Sequence, residues 1–381
     1  IGAFARVRDR VMFGPALAYA EDVLEEITAN PVDVVAADYL LPGAAVGAEK
    51  AGAPTAILLH TIYQLPAPGM PGPGIGLLPL AGPIGRLRDR LAGGLFMRLF
   101  RPGLTPLNAA RKALGLSPVS TVPEVFDRVE RVLVLTSRAF DYEAERLPDN
   151  LRYVGPQLED PAWTETWDSP WPADHPDPLV VVSLSTTPQN QAGTLQRVID
   201  ALGTIRVRGL VTTGPAVDPA SLRVPGNVAV RRSAPHAVVF QQSSLVVTHA
   251  GHGTVIRALA AGVPLLCVPM GRDQPDLAAR VVYRGAGLRL SPNRPAAAIA
   301  DAVQRLLQDP GFAQTARRLS GAIAEECRRD LAILELERLG SPSAAPGAHQ
   351  ARFPNVRSRR PQEPHEQRRP YVWGWDPPKE E

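Results

Sequence analysis

The spacing of apolar residues changes along the chain, and the changes mark out its elements. Pro15 to Ala29 repeats apolar residues at helical spacing (Leu17, Ala20, Val23, Leu24, Ile27), and Asn30-Pro31 stops the pattern. Val32 to Ala37 is a short unbroken apolar run that closes on Asp38. Ala44 to Ala51 reads as a helix ended by Gly52, and Thr55 to Leu59 as the next strand, ending at His60. This strand–helix–strand rhythm predicts parallel βαβ units, since parallel neighbours need a crossover between them. Gln64 to Gly85 has no period and many Pro and Gly, so it reads as a long loop, functional or unstructured. Helices are predicted over Leu87 to Phe100 and Leu107 to Leu114, and strands over Arg131 to Leu135 and Arg152 to Val154.

The second half repeats the rhythm more clearly. Leu179 to Leu184, Gly209 to Thr212, Val228 to Val230, Leu245 to Thr248, Pro264 to Val268 and Gly287 to Leu290 are continuous apolar runs. Continuous rather than alternating apolarity suits strands covered on both faces, as in a parallel sheet. Pro295 to Leu307 and Gly311 to about Leu336 read as helices. The expected organisation is an N-terminal domain over 1–156, a Trp- and Pro-rich linker over 157–177, a C-terminal domain over 178–340 and a disordered tail over 341–381. The chain opens without methionine, on residues that read as the interior of a domain. The N-terminal domain is therefore expected to be incomplete, by two or three βα units. Two adjacent doubly wound domains leave a cleft where the carboxyl ends of their strands face each other, and ligands bind at such ends.

Composition narrows the function classes. The tail from Ser341 holds seven Arg or Lys against five Asp or Glu, which is +2 of the chain's formal +3. The remaining near-neutral globule offers no nucleic-acid surface. No run of about 18 apolar residues exists to span a membrane. Cys267 and Cys327 lie in no metal-binding or redox pattern, so a reducing cytoplasm is the expected location.

The densest chemistry lies in LVVTHAGHGTVIRALAAGVPLLCVPMGRDQPD, from Leu245 to Asp276. A buried strand ends at Thr248, and His249, Ala250, Gly251, His252 and Gly253 form a turn. A helix is predicted to open at Thr254 and run to Ala261. Free amides and the positive end of that helix make an anion site, suited to phosphates. Gly251 and Gly253 let the backbone approach closely. Thr254 offers a hydroxyl, and His249 a ring N–H for a diphosphate oxygen. Asp273 and Gln274, after the next strand, pair a carboxylate with an amide and suit the vicinal hydroxyls of a sugar.

HAGHGT, the following GVPLLCVPMGRDQ and the earlier VVVSLSTT together resemble the donor-binding region of family-1 glycosyltransferases. The likeness is to the bacterial antibiotic and macrolide enzymes of this UDP-glycosyltransferase-like group. It covers Val180 to Glu325 and, more weakly, Val32 to Pro156. The resemblance implies a GT-B fold, two Rossmann-like domains facing a cleft. It implies inverting transfer from a nucleoside-diphosphate sugar (UDP or TDP) to a hydroxyl of a lipophilic small molecule such as a macrolide, without metal or cofactor. It places Ser185 and Thr186 near the phosphates, and His249, Gly253 and Thr254 on them. It places Asp273 and Gln274 on the sugar and Ala234 and His236 at the nucleobase. Ser233 stands where many members carry a base-stacking Trp, which leaves the base preference open. The family's catalytic histidine belongs near the start of the N-terminal domain, ahead of Ile1. Asp38 matches the aspartate that orients it, and is expected to have no histidine to serve in this chain. His60 also ends a strand at the cleft and reads as a lining of the acceptor pocket or a structural histidine, rather than a base. The loop Leu65 to Gly85 reads as an acceptor-side lid or as unstructured chain.

Two other classes compete. A non-catalytic nucleotide-sugar-binding fragment or pseudo-enzyme fits the absent base. A nucleotide-sugar epimerase shares the fold, but the Asp273–Gln274 pair argues for transfer. A dinucleotide oxidoreductase lacks its motif, because no GxGxxG followed by a spaced acidic residue succeeds a first strand.

Overall fold

The computed structural model describes residues 2–159, 167–172, 174–184, 189 and 191–341. Two parallel sheets carry the chain, so the α/β expectation holds. The first has the order β1-β2-β3-β4, with β1 at Val35–Asp38, β2 at Thr55–Leu59, β3 at Arg131–Val134 and β4 at Leu151–Tyr153. The second has the order β10-β9-β8-β5-β6-β7. Its strands are β5 Leu179–Ser183, β6 Arg208–Thr212, β7 Val228–Arg231, β8 Leu245–Thr248, β9 Leu265–Cys267 and β10 Gly287–Arg289. Every neighbouring pair is parallel.

The buried runs explain the second sheet. Alternate residues of its strands feed two apolar layers. Val181, Val246, Leu265 and Cys267 face the helices His252–Ala260, Gln274–Arg284 and Pro310–Cys327. Val180, Val182, Val247 and Leu266 face Ala192–Leu202 and Ala296–Gln308. A strand buried on both faces has no polar side, which is why its sequence does not alternate.

Most element boundaries fall within a residue or two of their sequence readings, and the exceptions have local causes. β1 starts at Val35 rather than Val32, because pairing with β2 begins at Val35 opposite Thr55 and Val32 is left exposed. The helix expected from Leu87 starts at Gly82, with Pro83 in its first turn, where proline's missing N–H costs nothing. The long helix expected from Gly311 to Leu336 is two, Pro310–Cys327 and Leu331–Gly340. Asp330 adopts a left-handed φ of 48° at the break, a conformation a short polar side chain tolerates. The break re-aims the last helix. Leu331, Leu336 and Leu339 pack on Ala56, Leu133 and Val154 of the first sheet, and Glu335 meets Arg131 at 2.7 Å. The last helix of the expected C-terminal domain thus covers the first sheet. The tail, including its Tyr371–Trp375 cluster, lies outside the described residues.

The two halves share a buried ion pair. Asp141, after β3, meets Arg280 at 2.6 Å, with both side chains almost fully buried. Asp141 also accepts from the Tyr63 amide, the Tyr142 amide and the Tyr153 hydroxyl, and Arg280 lies over the Tyr142 ring at 4.1 Å. A buried charge satisfied this fully ties the elements that supply its partners.

Candidate functional site

In the second sheet β5 lies between β6 and β8, so the connections leave β5 in opposite directions. That switch point opens a crevice at the carboxyl ends of β5 and β8. The turn after β8 stands there. Its helix begins at His252, two residues before the expected Thr254, because Ala250 turns the chain with a left-handed φ of 68° and Gly251 is an extended N-cap. The first bond of the ladder runs from the Val255 amide to the Gly251 carbonyl at 3.0 Å. The amides of His252, Gly253 and Thr254 precede it, at the positive end of the helix. A Cβ on Gly251 would lie 2.6 Å from His249 Nε2, so Gly251 makes room for that ring. Beyond the helix's own backbone, a Cβ on Gly253 would meet the Arg257 guanidinium at 3.0 Å, a group itself held by the Leu158, Gly253 and Glu159 carbonyls. Burial pushes the His249 imidazole down to about 4; a backbone hydrogen bond with Ser183 opposes this, and the nearby Arg272 charge adds to it. The unliganded ring is therefore neutral near pH 7. Ser185 and Thr186 lie outside the described residues.

His236 opens the short helix His236–Val239, with Nε2 3.3 Å from Ser183 Oγ and its ring stacked on Phe240 at 4.4 Å. Ala234 is buried in the apolar layer beneath. Both thus flank the end of β5. Asp273 and Gln274 begin the helix Gln274–Arg284, and they part company. Gln274 is 2% exposed. Its Oε1 accepts from the Met270 and Gly271 amides, and its Nε2 donates to Gln189 Oε1. Its amide is therefore occupied in holding the loop. Asp273 stays partly open and accepts from Thr61 Oγ1, in the first half, at 2.9 Å.

Thr61 follows His60, and there the first sheet makes its contribution. Asp38 pairs with Leu58 in the β1–β2 register, so His60, two residues on, reaches back to it. His60 Nδ1 lies 3.3 Å from Asp38 Oδ2, while Asp38 Oδ1 accepts from the Leu40 amide at 2.8 Å. The sequence reading left Asp38 with no histidine partner within this chain; parallel pairing brings His60 of the next strand beside it. Burial pushes the Asp38 carboxyl up, but His60 and the Leu40 amide outweigh it and hold the group below its ordinary value. The His60 side chain is 53% exposed, with its edge against Tyr39 at 4.9 Å. His252, which the sequence leaves as a packing or solvent-facing residue of the turn, has Nε2 2.9 Å from Thr136 Oγ1 beyond β3. Burial, then the charge of His60, lower the His252 ring to about 4.

The fold therefore gathers Asp38, Tyr39, His60, Thr61 and Thr136 of the first half against His252 and Asp273 of the second. Thr61 and Thr136 were not singled out in the sequence. Their partners are 212 and 116 residues away, and no local pattern signals such a pairing. A cavity of about 270 Å³ lies elsewhere, lined by Tyr63, Pro66, Phe126, Leu147 and the first residues of β3 and β4. It is lined by none of the polar groups that converge at the strand ends, so the site is assigned by those groups. Among the described residues no helix is long and apolar enough to cross a membrane.

Residues 196–333 match the family described as Erythromycin biosynthesis protein CIII-like, C-terminal domain. The chain is 30% identical over 331 residues to 4'-demethylrebeccamycin synthase of Lentzea aerocolonigenes, a match covering 84% of this chain and 76% of that enzyme. Among solved structures it resembles the glycotransferase of kitacinnamycin, with a TM-score of 0.68 at 22% identity over 86% of this chain and 82% of the other. It also resembles the glycosyltransferase VinC in complex with DTDP, with a TM-score of 0.62 at 20% identity over 88% and 79%. With two parallel sheets, the second of them doubly wound, and a relative this similar over most of its length, the chain belongs to the bacterial antibiotic glycosyltransferases of the family-1, UDP-glycosyltransferase-like group and has their GT-B fold.

Proposed function

We propose that this glycosyltransferase moves a sugar from a UDP- or TDP-sugar to a hydroxyl of a lipophilic small molecule, with inversion and without a metal ion. The observation that carries the reading is the Thr61–Asp273 hydrogen bond of 2.9 Å. It sets the Asp38–His60 pair of one half beside the carboxylate and the phosphate-type turn of the other. In this reading the acceptor hydroxyl gives its proton to His60 Nε2. Asp38 on Nδ1 fixes the tautomer and stabilises the imidazolium, as a carboxylate does for any such base. The acceptor oxygen attacks the anomeric carbon as the bond to the diphosphate breaks. The negative charge gathering on the leaving group meets the amides of His252, Gly253 and Thr254, the Thr254 hydroxyl and His249. Asp273 holds a sugar hydroxyl, Gln274 keeps its loop in place, and His236 and the backbone at Ala234 flank the base. Ser185 and Thr186 remain assigned to the phosphates by the motif alone.

A nucleotide donor is supported by the likeness to VinC, whose structure holds DTDP, and a natural-product acceptor by the name of the rebeccamycin relative. The Asp38–His60 pair favours an active enzyme over a mere binder of nucleotide sugars. Calorimetry with UDP and TDP tests the donor assignment. His249→Ala and Thr254→Ala should each weaken binding by about 1.5–3 kcal/mol, the range for hydrogen bonds to a charged group. Absence of binding by the folded chain would remove the reading.

A further inference from the structure

The segment from His60 to Ala81 joins β2 to the helix Gly82–Phe100 and has no ladder of its own. Its middle is held by the opposite half. The amides of Gly74 and Gly76 donate to Oδ2 and Oδ1 of Asp276 at 2.6 and 2.7 Å, and Arg289 Nη1 donates to the Gly76 carbonyl at 3.0 Å. The Tyr142 hydroxyl, behind the loop, donates to the Leu77 carbonyl at 3.0 Å. The Asp276 side of this contact is enclosed, with the residue 5% exposed. The loop side is built for close approach. Gly76 has a φ of 68°, and a Cβ there would lie 2.4 Å from the Pro275 carbonyl oxygen and 2.7 Å from Arg289 Nη1. Asp276 lies three residues beyond Asp273, which binds Thr61 at the start of the same segment. Two carboxylates at the head of one helix thus hold the beginning and the middle of the loop.

We infer that Asp276 is a positioning residue that fastens the loop 64–81 from the donor half, so that the wall beside His60 and the sugar-side carboxylate Asp273 form one rigid unit. This rests on the proposed transfer reaction for its consequence, but the fastening itself does not depend on it. The function of the loop is then to exclude water and hold the acceptor in register with His60. Asp276 takes no part in donor affinity.

The test uses the full chain, with TDP and TDP-glucose as probes. Asp276→Asn keeps the shape but turns one accepting oxygen into a donor facing an amide. Hydrogen exchange at 70–80 should rise about tenfold, the effect of one lost hydrogen bond to a charged group. TDP affinity should stay within about twofold, and acceptor-free hydrolysis of TDP-glucose should increase as water enters. Gly76→Ala, which leaves the carboxylate intact and blocks the approach from the loop side, should give the same pattern. The double variant should be no worse than either single one, since both break one contact. Unchanged exchange in Asp276→Asn, or additive effects of the two substitutions, would overturn the inference. So would a loss of TDP affinity in Asp276→Asn that Gly76→Ala lacks, since Asp276 would then belong to the donor site. Failure of the wild-type chain to bind TDP would count against the transfer reaction and leave the exchange comparison standing.

Discussion

The two sides of the cleft are built in different ways. On the side proposed to bind the donor, the turn, the helix end, the second strand and Asp273 all come from one contiguous stretch, Leu245 to Asp276. Local chain geometry suffices to place them: a strand must end, a left-handed Ala250 must turn, and a helix must start with amides to spare. On the side proposed to bind the acceptor, Asp38, His60 and Thr136 come from the ends of three different strands, and Thr136 and the neighbouring Thr61 meet His252 and Asp273 of the second half. Only pairing register and the docking of the two halves bring them together. A site of the first kind tolerates movement between the halves, and one of the second kind is abolished by it.

The largest test of this difference is at His60. His60→Ala should cut transfer by about 10²–10⁴-fold, the usual worth of a positioned base, while TDP binding stays as in wild type. Asp38→Asn should fall in the same direction with the same unchanged binding. If His60→Ala transfers sugar at the wild-type rate, the acceptor side has another base and the assignment of the pair is wrong.

Next in size is the pair that locks the halves. Asp141→Ala leaves Arg280 charged and buried, which costs about 3–5 kcal/mol. Urea unfolding should move to lower denaturant with fluorescence and circular dichroism shifting together. If instead the two probes separate, the halves unfold independently and the cleft is not one cooperative unit.

Protonation sharpens the comparison further. With its free ring at about 4, His249 is neutral near neutrality, and an arriving diphosphate favours the charged form. The complex then binds more protons than the free protein, so TDP affinity should rise as pH falls from 7 toward about 4 and level off below it. Calorimetry at pH 6 in buffers of different ionisation heat should register proton uptake that His249→Asn removes; its absence would mean the ring binds in the neutral form. The same depression has a stability sign. His249 and His252 are both lowered from 6.5, so the unfolded chain binds more protons between pH 6.5 and about 4. Stability present above that window is lost as pH falls through it.

The smallest effect belongs to Thr61→Val, which removes the hydroxyl that reaches Asp273. It should cost about 1 kcal/mol of stability by urea titration, the net worth of a typical hydrogen bond. Its informative outcome is kinetic: transfer should fall while TDP affinity holds. Equal loss of both would place Thr61 in the donor site.

The chain by itself determined the α/β architecture, because short runs such as Val180–Val182 and Leu245–Val247, apolar without alternation and separated by helical segments, suit strands covered on both faces. It also determined the turn after β8, whose residues are neighbours in sequence and whose geometry follows from the strand-to-helix junction. What only the tertiary structure decided lies in contacts of long range. The sequence reading left Asp38 without a partner, and β1–β2 register gave it His60. It took Gln274 as a sugar ligand beside Asp273, and packing turned that amide inward onto Met270, Gly271 and Gln189. It ran one helix from Gly311 to Leu336, and a left-handed Asp330 redirected its last turns onto the first sheet. It left Leu65 to Gly85 open between a lid and unstructured chain, and Asp276, 200 residues away, holds its Gly76 amide. The physical reason is the same each time. Periodicity and turn chemistry record the interactions of a residue with its neighbours along the chain. The partner of a polar side chain at a strand end is chosen by which strands lie side by side and which halves dock.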